Sequence, residues 1–520
     1  MTRGANLFVD ETNLFISSRG FDLETIMTPL NGHLIAVERF LMAVDIELGA
    51  DFLFMKLALI AGGIGAAWAA YALMRPRLGA AIAAPVACLL LLLGSAWEIT
   101  LIPAGIPNVY CVAGGLGAIW MLERKGRGDI AACLLLLLSV ASWSLGVIFA
   151  VGVAIVLLGE PERRRSIWVP AVPLGLYAVW YVWAHLSLDL SADPQTFFFD
   201  NVFIVPTYLL AQASAVAGTV TGLDYPFDGG FFSEFSTSTG FGPALAVIAA
   251  VGIGLGFRRR GFSWLGVAGV TMLLLFWVSL AMNLGTGRGP ETVRYAYPSL
   301  ALLIVIGAEA FRGQRADGRL ALVPYILVAL ALATNLARAD DGTRFYRLSS
   351  TQETSALAAV EFASGSVAPD FVAGNFPTVE AGKYLDAVDR NGSPAPDEEE
   401  LLTRSEGDRE FADETSIGAL GIVLAPPNGA SCRGAATAST IPGEEPLDGS
   451  VLLRAEAPSD VSIRRFADEG TSLGALAGGR WQPLLLPDDA ADRGWTITVT
   501  LATDRPARLE ICPESQIVAP

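Results

Sequence analysis

The chain is short of charge and of histidine. Only 17% of its 520 residues are Asp, Glu, Lys or Arg, whereas 52% are hydrophobic and the mean hydropathy is +0.48. This composition excludes a soluble protein of this size and indicates a polytopic membrane protein. The two histidines, His33 and His185, do not combine with the five cysteines at the spacing of a metal site. No stretch interleaves basic and aromatic residues, so nucleic acid is not an expected partner.

The charge that is present is unevenly distributed. Residues 340–520 carry 30 Asp and Glu against 14 Arg and Lys, a net charge of −16 out of −17 for the whole chain. The sequence therefore predicts an all-α polytopic membrane bundle followed by a mainly β, acidic extracytoplasmic domain. The predicted segments are a first extracytoplasmic loop with an interfacial helix at 1–51, the transmembrane bundle at 52–338 and the acidic domain at 339–520.

Apolar runs of bilayer length recur through the membrane part. At 1.5 Å per residue, about 20 residues cross the ~30 Å hydrocarbon core. The run at 130–158 is too long for one upright helix, and arginines precede and follow it, so the positive-inside rule predicts a hairpin that turns near Ser142–Gly146. With this hairpin, the sequence predicts about ten spans. They lie near 52–74, 80–96, 107–122, 130–158 (two spans), 167–185, 241–257, 262–282, 293–311 and 319–337.

All basic clusters then fall on one face of the bundle, which the positive-inside rule makes cytoplasmic. Both termini are expected outside the plasma (inner) membrane. Residues 1–9 contain neither a charged n-region nor an apolar h-region, so we expect that a first transmembrane helix is missing from this chain. An eleventh span at 201–221 would move Arg258–Arg260 outside, so this segment is predicted to lie on or dip into the outer surface. The clusters are Arg75 and Arg77, Arg124–Arg127, Arg163–Arg165, Arg258–Arg260, and Arg312, Arg315 and Arg319.

The first outer loop contains the candidate chemistry. Asp10 and Glu11 form an acidic pair, and Asn31 and His33 follow in the same loop. Adjacent carboxylates just outside a bilayer suit the proton transfers of a transferase, although acidic pairs also occur in loops by chance. Apolar residues recur every three or four positions across 34–48, with charged residues between them. This pattern predicts an amphipathic helix that lies in the membrane interface or packs on neighbouring spans.

Polar groups occur at two other outer positions. Trp97 and Glu98 end the second span in a loop whose prolines stop the helix, and Glu98 is either a solvated loop end or a site residue. Arg294 and Tyr295 open the ninth span on the outer face, against the positive-inside bias. The planar guanidinium of Arg294 suits a phosphate, and the alternative is an arginine that snorkels to lipid headgroups.

The order of these motifs resembles the GT-C superfamily of membrane glycosyltransferases over roughly residues 9–340. It is most similar to the bacterial branch whose first loop reads Asp-Asp-Trp and then Asn-Glu-His. The shared features are the acidic pair, Asn-x-His before an interfacial helix, Ala-Trp-Glu in the second outer loop, a short Ser/Gly hairpin and Arg-Tyr-x-Tyr opening a late span. Two departures from the family are expected: its first span is missing from this chain, and Thr12 stands where an aromatic residue is common.

The resemblance implies an inverting glycosyltransferase that moves a sugar from a polyprenyl-phosphate donor to a glycan, lipid or protein of the cell envelope. Asp10, with Glu11 beside it, would be the general base, and Arg294 would bind the lipid phosphate. No cofactor is implied beyond the lipid-linked sugar, and a divalent cation stays open. The other implied substrate contacts are Asn31, His33, Trp97, Glu98 and Tyr295.

Two other function classes fit part of the sequence. A transporter would carry charges at mid-membrane, and Glu309, near a cytoplasmic end, is almost the only candidate. A non-catalytic membrane protein would anchor a glycan- or partner-binding outer domain, and the sequence leaves this alternative open. The position of the charges on the outer face favours the glycosyltransferase.

The region after residue 340 is predicted to form a mainly β, sandwich-like domain. Ser355–Ser364 is predicted to be helical, and Pro394–Glu414 is predicted to be a loose acidic stretch. Cys432 and Cys512 both lie in this outer domain, where oxidation is permitted, so we expect one disulfide between them. The domain is expected to bind a glycan or a partner without catalysing a reaction. Strands are predicted at Ile417–Ala425, Gly449–Arg454, Val461–Phe466 and Trp495–Leu501.

Overall fold

The computed structural model describes residues 7–124, 128–188, 198–223, 240–284, 289–316, 318–373, 379–433, 437–441, 443–447, 449–501 and 507–518. Lys125 and Arg127 of the predicted cytoplasmic clusters lie outside these residues. The chain divides into two compact units. The first comprises the described residues of Ser18–Leu48 and Phe52–Tyr346, and the second those of Gly4–Ser17, Gly49–Asp51 and Arg347–Pro520.

The first unit is a bundle of helices. Within the described ranges, nine helices have at least 18 residues and enough apolar character to cross a membrane. The predicted helical membrane bundle is therefore confirmed in this coarse form, and the number of spans stays a prediction. The helices in chain order, of which the first belongs to the second unit, are α1 (Asp10–Ser17), α2 (Leu23–Met27), α3 (Ala36–Glu47), α4 (Leu53–Leu78), α5 (Ala80–Leu91), α6 (Trp97–Thr100), α7 (Ile106–Leu122), α8 (Asp129–Ser142), α9 (Leu145–Gly159), α10 (Trp168–Ser187), α11 (Val205–Thr221), α12 (Gly242–Arg260), α13 (Trp264–Met282), α14 (Ala296–Ala310) and α15 (Leu322–Phe362).

The apolar run at 130–158 is interrupted where the sequence predicts a turn. Trp143, between α8 and α9, has an extended backbone with φ −165° and ψ 153°. Beyond it, Gly146 approaches the backbone of Ser139 and Val140 so closely that a Cβ at position 146 would lie 2.4 Å from their atoms. Residues seven apart in a continuous helix are separated by about 10 Å. The chain therefore reverses here, and the predicted hairpin turn is confirmed.

The segment at 201–221 is also helical. Residues Phe199–Thr221 form a helix of 23 residues, apolar enough to cross a membrane. It packs on α12, and Gly242 approaches the Ser214 carbonyl so closely that any larger residue at 242 would overlap it. The placement of this segment at the outer surface stays a prediction.

Helix α3 forms where the amphipathic pattern predicts it, and three of its four charged side chains face inward, whereas Glu47 is exposed. Glu38, Arg39 and Asp45 are buried, whereas Phe40 and Leu48 are exposed. Asp45 accepts hydrogen bonds from the backbone N–H groups of residues 52, 54 and 55 at 3.0 to 3.3 Å. It thereby satisfies donors at the start of α4 that have no partner within their own helix. The buried face of α3 therefore combines these charged side chains with apolar ones, of which Ala36, Met42 and Ala43 are buried.

Glu309 joins three helices at the predicted cytoplasmic end of the bundle. Its carboxylate accepts a hydrogen bond from Arg77 Nε at 2.5 Å and from Ser263 Oγ at 2.6 Å, and Arg312 lies 3.6 Å away. A buried carboxylate held by two arginines and a hydroxyl has its charge compensated. Glu309, the acidic residue that a transporter would need in the membrane, is therefore part of a structural ion network.

The second unit contains a β-sandwich. An antiparallel five-stranded sheet, in the order β1-β8-β5-β10-β3, and an antiparallel four-stranded sheet, in the order β4-β9-β6-β7, share one hydrophobic core. Leu453 and Leu509 from the first sheet pack there with Val461 and Ile497 from the second. The strands are β1 (Val423–Leu424), β2 (Ser431–Cys432), β3 (Thr437–Ile441), β4 (Gly443–Leu447), β5 (Val451–Ala455), β6 (Ser459–Arg464), β7 (Thr471–Leu476), β8 (Gln482–Leu485), β9 (Trp495–Leu501), β10 (Ala507–Pro513) and β11 (Ile517–Val518).

Three predicted strands and the predicted helix of this unit are confirmed by β5, β6, β9 and the end of α15. The unit also contains α16 (Ala381–Asn391), α17 (Glu398–Leu402) and α18 (Glu406–Leu420). The predicted strand Ile417–Ala425 is wrong in its first half, because α18 extends to Leu420 and ends at Gly421, whose φ is +63°.

The prediction of a loose stretch at Pro394–Glu414 is also wrong, since α17 and most of α18 lie there. Each helix has a polar residue that caps its first turn. The Asp397 carboxylate accepts a hydrogen bond from Glu400 N–H at 2.8 Å, and the Ser405 hydroxyl accepts one from Asp408 N–H at 3.4 Å. Arg409 of α18 also forms an ion pair with Asp468 at 2.8 Å. Capping and tertiary contacts therefore order an acidic stretch that composition alone marks as loose.

The predicted Cys432–Cys512 disulfide is confirmed. The two Cα atoms lie 5.9 Å apart, and the bond joins residues 80 positions apart in the chain. Cys512 is buried against Leu452 and Ala430, and the pairing of Ile517 with Cys432 places β11 beside the bridge.

Candidate active site

The acidic pair of the first loop lies at the start of α1. Asp10 and Glu11 occupy its first turn, where a negative charge interacts favourably with the helix dipole. Asp10 is half-buried, whereas Glu11 is fully buried. Val9, just before them, has φ +45°, which is rare for a β-branched residue and is typically maintained at functional sites. Of the two carboxylates, Asp10 is therefore the one that a bound molecule can approach.

A third carboxylate, which the sequence did not single out, fixes this turn. Glu353 of α15 accepts a hydrogen bond from Val9 N–H at 2.9 Å and another from the Thr12 hydroxyl. Thr12 stands where the family that the chain resembles often has an aromatic residue. Its hydroxyl is therefore a hydrogen-bond partner of Glu353. The sequence gives little indication of this role, because Glu353 is a single acidic residue among Ser, Thr and Ala residues.

Glu353 lies outside the apolar part of its helix. Helix α15 has 41 residues, about 60 Å at 1.5 Å per residue, twice the ~30 Å hydrocarbon core. The predicted span ends at residue 337 and therefore does not include Glu353. Burial raises the pKa of the Glu353 carboxyl, the bonds from Thr12 and Val9 lower it, and the charge of Asp10 raises it again. The two carboxylates therefore influence each other electrostatically.

The remainder of α1 packs within the second unit. The ring centroids of Phe15 and Tyr384 lie 6.5 Å apart, and Asn391 donates a hydrogen bond to the Phe15 carbonyl at 3.3 Å. The Tyr384 hydroxyl donates to Glu361 at 2.6 Å. These contacts hold α1 on α15 and α16, so the acidic turn is a fixed element of this unit.

Asn31 and His33 form a tight turn in the first unit. The Leu30 and His33 backbones exchange two hydrogen bonds of 3.1 and 2.9 Å, and Asn31 and Gly32 between them both have positive φ, at 50° and 75°. This is the pattern of a type I′ turn, which favours Asn-Gly. His33 Nδ1 lies 2.6 Å from Ser144 Oγ, a hydrogen bond whose donor depends on the imidazole tautomer. His33 therefore contacts the turn between α8 and α9.

Glu98 and Arg294 form an ion pair in the first unit, with their atoms 3.7 Å apart. The Glu98 side chain is 11% exposed and that of Arg294 is 41% exposed. Glu98 is therefore a paired, mostly buried group, which argues against a merely solvated loop end. The Arg294 guanidinium lies 5.6 Å from the centroid of the Tyr295 ring, within cation–π range.

Trp97 holds the loop that carries Glu98 against α15. Its ring packs on Phe345 with centroids 5.7 Å apart, and any larger side chain at Gly342 would overlap it. Two residues earlier, Ser95 N–H donates to the Asn335 side chain at 3.0 Å. Trp97 therefore anchors the loop that carries Glu98 to α15.

Within the first unit, the structure thus joins Glu98, Arg294 and Tyr295, and separately places His33 on the hairpin turn. In the second unit, Glu353 holds the turn that carries Asp10 and Glu11 through its hydrogen bonds with Val9 and Thr12. Across the described ranges, no three His, Cys, Asp or Glu side chains are grouped as metal ligands. Comparisons of the chain with protein-family models, with curated proteins and with solved structures found no match to any of them.

Proposed function

We propose that the protein is an inverting glycosyltransferase of the plasma membrane that uses a polyprenyl-phosphate sugar on the extracytoplasmic face. The observation that supports it best is the Glu98–Arg294 pair, in which a guanidinium with 41% exposure is oriented by a mostly buried carboxylate. A cation fixed in this way suits the phosphate of a lipid-linked donor. The acceptor is a glycan, lipid or protein of the cell envelope.

In this reaction the sugar carbon becomes positive, the departing phosphate gains negative charge, and the acceptor hydroxyl loses a proton. Asp10 is the proposed general base, and Glu11 supports it. Arg294 stabilises the departing phosphate, as preorganised positive groups do for developing charge. The proposed contacts to the sugar and lipid come from Asn31, His33, Trp97, Glu98 and Tyr295.

The phosphate role of Arg294 can be tested with farnesyl phosphate, a short isoprenoid phosphate. Because a hydrogen bond to a charged group contributes about 1.5–3 kcal/mol, Arg294→Gln is expected to weaken binding roughly 10- to 100-fold. The measurement is a titration of the purified protein in detergent, with farnesol as the ligand that lacks phosphate.

Arg319→Gln is the matched control, since Arg319 is an exposed arginine in a predicted cytoplasmic cluster. It should bind farnesyl phosphate as the wild type does. Equal affinity of the wild-type protein for farnesyl phosphate and farnesol would contradict the proposal, as would an unchanged affinity in Arg294→Gln.

The proposed sidedness predicts that position 397 is outside the cell and positions 164 and 259 are inside. All three residues are exposed in the structure. Asp397→Cys should react with a membrane-impermeant thiol reagent in intact cells, whereas Arg164→Cys and Arg259→Cys should react only after permeabilisation. The unsubstituted protein controls for the native thiols, and labelling of Arg164→Cys in intact cells would overturn the assigned topology.

A further inference from the structure

Two buried polar side chains of α11 each have an atom without a hydrogen-bond partner. The Tyr208 side chain is 4% exposed, and its hydroxyl has no hydrogen-bond partner. Gln212, one turn further along the same helix face, is equally buried, and its Oε1 also has no partner. A buried polar group without a partner costs free energy, so folded proteins retain few of them. Their presence is explained if a bound molecule supplies the missing partners.

The surroundings of Tyr208 indicate what kind of molecule this is. Its hydroxyl interacts electrostatically with Tyr295, Glu291 and Arg294. Tyr208 and this arginine belong to the same compact unit, in which α11 packs on α14, the helix that begins directly after Tyr295. A tyrosine hydroxyl donates a hydrogen bond, which a phosphate oxygen accepts, whereas an amide oxygen needs a donor, which a sugar hydroxyl supplies.

We propose that Tyr208 and Gln212 complete a glycosyl-phosphate site around Arg294. Tyr208 donates to an oxygen of the lipid phosphate, and the Gln212 amide oxygen accepts from a hydroxyl of the attached sugar. This inference rests on the proposed function and extends it, because it assigns Tyr208 to the phosphate of the donor and Gln212 to its sugar. It also assigns a binding role to α11, whose segment was predicted from the sequence to lie on or dip into the outer surface.

The variant Tyr208→Phe tests the phosphate contact. It removes one oxygen atom and leaves the ring that fills the space, and loss of an unpartnered buried hydroxyl does not weaken the fold. The affinity for farnesyl phosphate is expected to fall about five- to tenfold, with no change in the affinity for farnesol.

Tyr297→Phe is the matched control. Tyr297 is also fully buried, and its hydroxyl also lacks a hydrogen-bond partner. Unlike the Tyr208 hydroxyl, it has no electrostatic interaction with Arg294 among the described residues. This variant should bind farnesyl phosphate as the wild type does. Equal thermal unfolding temperatures of the two variants would show that both are folded.

The outcomes separate this inference from the proposed function. If the wild-type protein prefers farnesyl phosphate to farnesol and Tyr208→Phe has the same preference, the role of Tyr208 is wrong and the phosphate site stands. An equal loss in Tyr208→Phe and Tyr297→Phe would also overturn the role of Tyr208. If the wild-type protein does not discriminate between the two ligands, both the inference and the phosphate site are wrong.

Discussion

Replacing Asp10 with asparagine is expected to reduce the rate of sugar transfer at least about 100-fold with donor binding nearly intact. The acceptor hydroxyl has a pKa far above 7 and must lose its proton as it attacks, and general-base help in such a step typically contributes 10²–10⁴-fold. Asparagine keeps the size of the side chain and removes its basicity. The rate can be measured in membranes of a deletion strain that express each variant and are supplied with polyprenyl-phosphate sugars extracted from the parent strain.

Asp22→Asn is the matched control for this experiment. Asp22 is an exposed acid of the same predicted loop that accepts a hydrogen bond from Thr25 N–H at 2.8 Å, at the start of α2. Asparagine caps helices as well as aspartate does, so this variant should transfer sugar at the wild-type rate. If Asp10→Asn also transfers sugar at the wild-type rate, Asp10 is not the base.

Removing the Cys432–Cys512 disulfide is expected to destabilise the second unit by up to ~4–5 kcal/mol. The bond closes a loop whose ends are 80 residues apart, so its loss increases the conformational entropy of the unfolded chain. Cys432→Ser with Cys512→Ser should therefore lower the urea concentration at which a short protease pulse degrades the second unit in membrane vesicles.

The single variant Cys88→Ser removes a thiol of the bundle that forms no disulfide, so its urea midpoint should equal that of the wild type. Mass spectrometry of the unreduced wild-type protein should find peptides 432 and 512 linked. Free thiols at both positions, or the same urea midpoint with and without the two cysteines, would contradict the expected stabilisation.

Features that depend on local pattern were predictable from the sequence. Arginines on both sides of 130–158 require an even number of crossings between them, and the structure turns at Trp143 and Ser144. Two cysteines in one acidic domain allow a single pairing, which the structure contains. The strands β6 and β9 formed where strand-like runs were predicted, and their burial alternates with the two-residue period of a strand.

Features that depend on distant contacts were not predictable in this way. Glu353 is 344 positions from Val9, and no local pattern connects them. The burial of Asp45 has a nearer cause, because its carboxylate caps the start of α4 in the residues that follow α3. The residues of 394–414 have an acidic composition typical of disorder, and their order comes from caps and from the Arg409–Asp468 ion pair.

The candidate site was predictable only as separate pieces. The pairing of Glu98 with Arg294 joins two loops that are nearly two hundred residues apart, and only the folded bundle brings them within 3.7 Å. Tyr208 carries no motif at all, since a tyrosine in an apolar helix is usually a packing residue. Its lack of a hydrogen-bond partner becomes visible only in the fold.

The most direct test of the central claim is an analysis of envelope glycans and lipid-linked sugars in a strain that lacks the gene. We expect the deletion strain to lose one sugar from its envelope and to accumulate the corresponding polyprenyl-phosphate sugar. Wild-type protein should restore both quantities, and Asp10→Asn protein, present in the membrane at the same level, should restore neither. An envelope composition and a lipid-linked sugar pool identical to those of the parent strain would contradict the assignment of this protein as a glycosyltransferase.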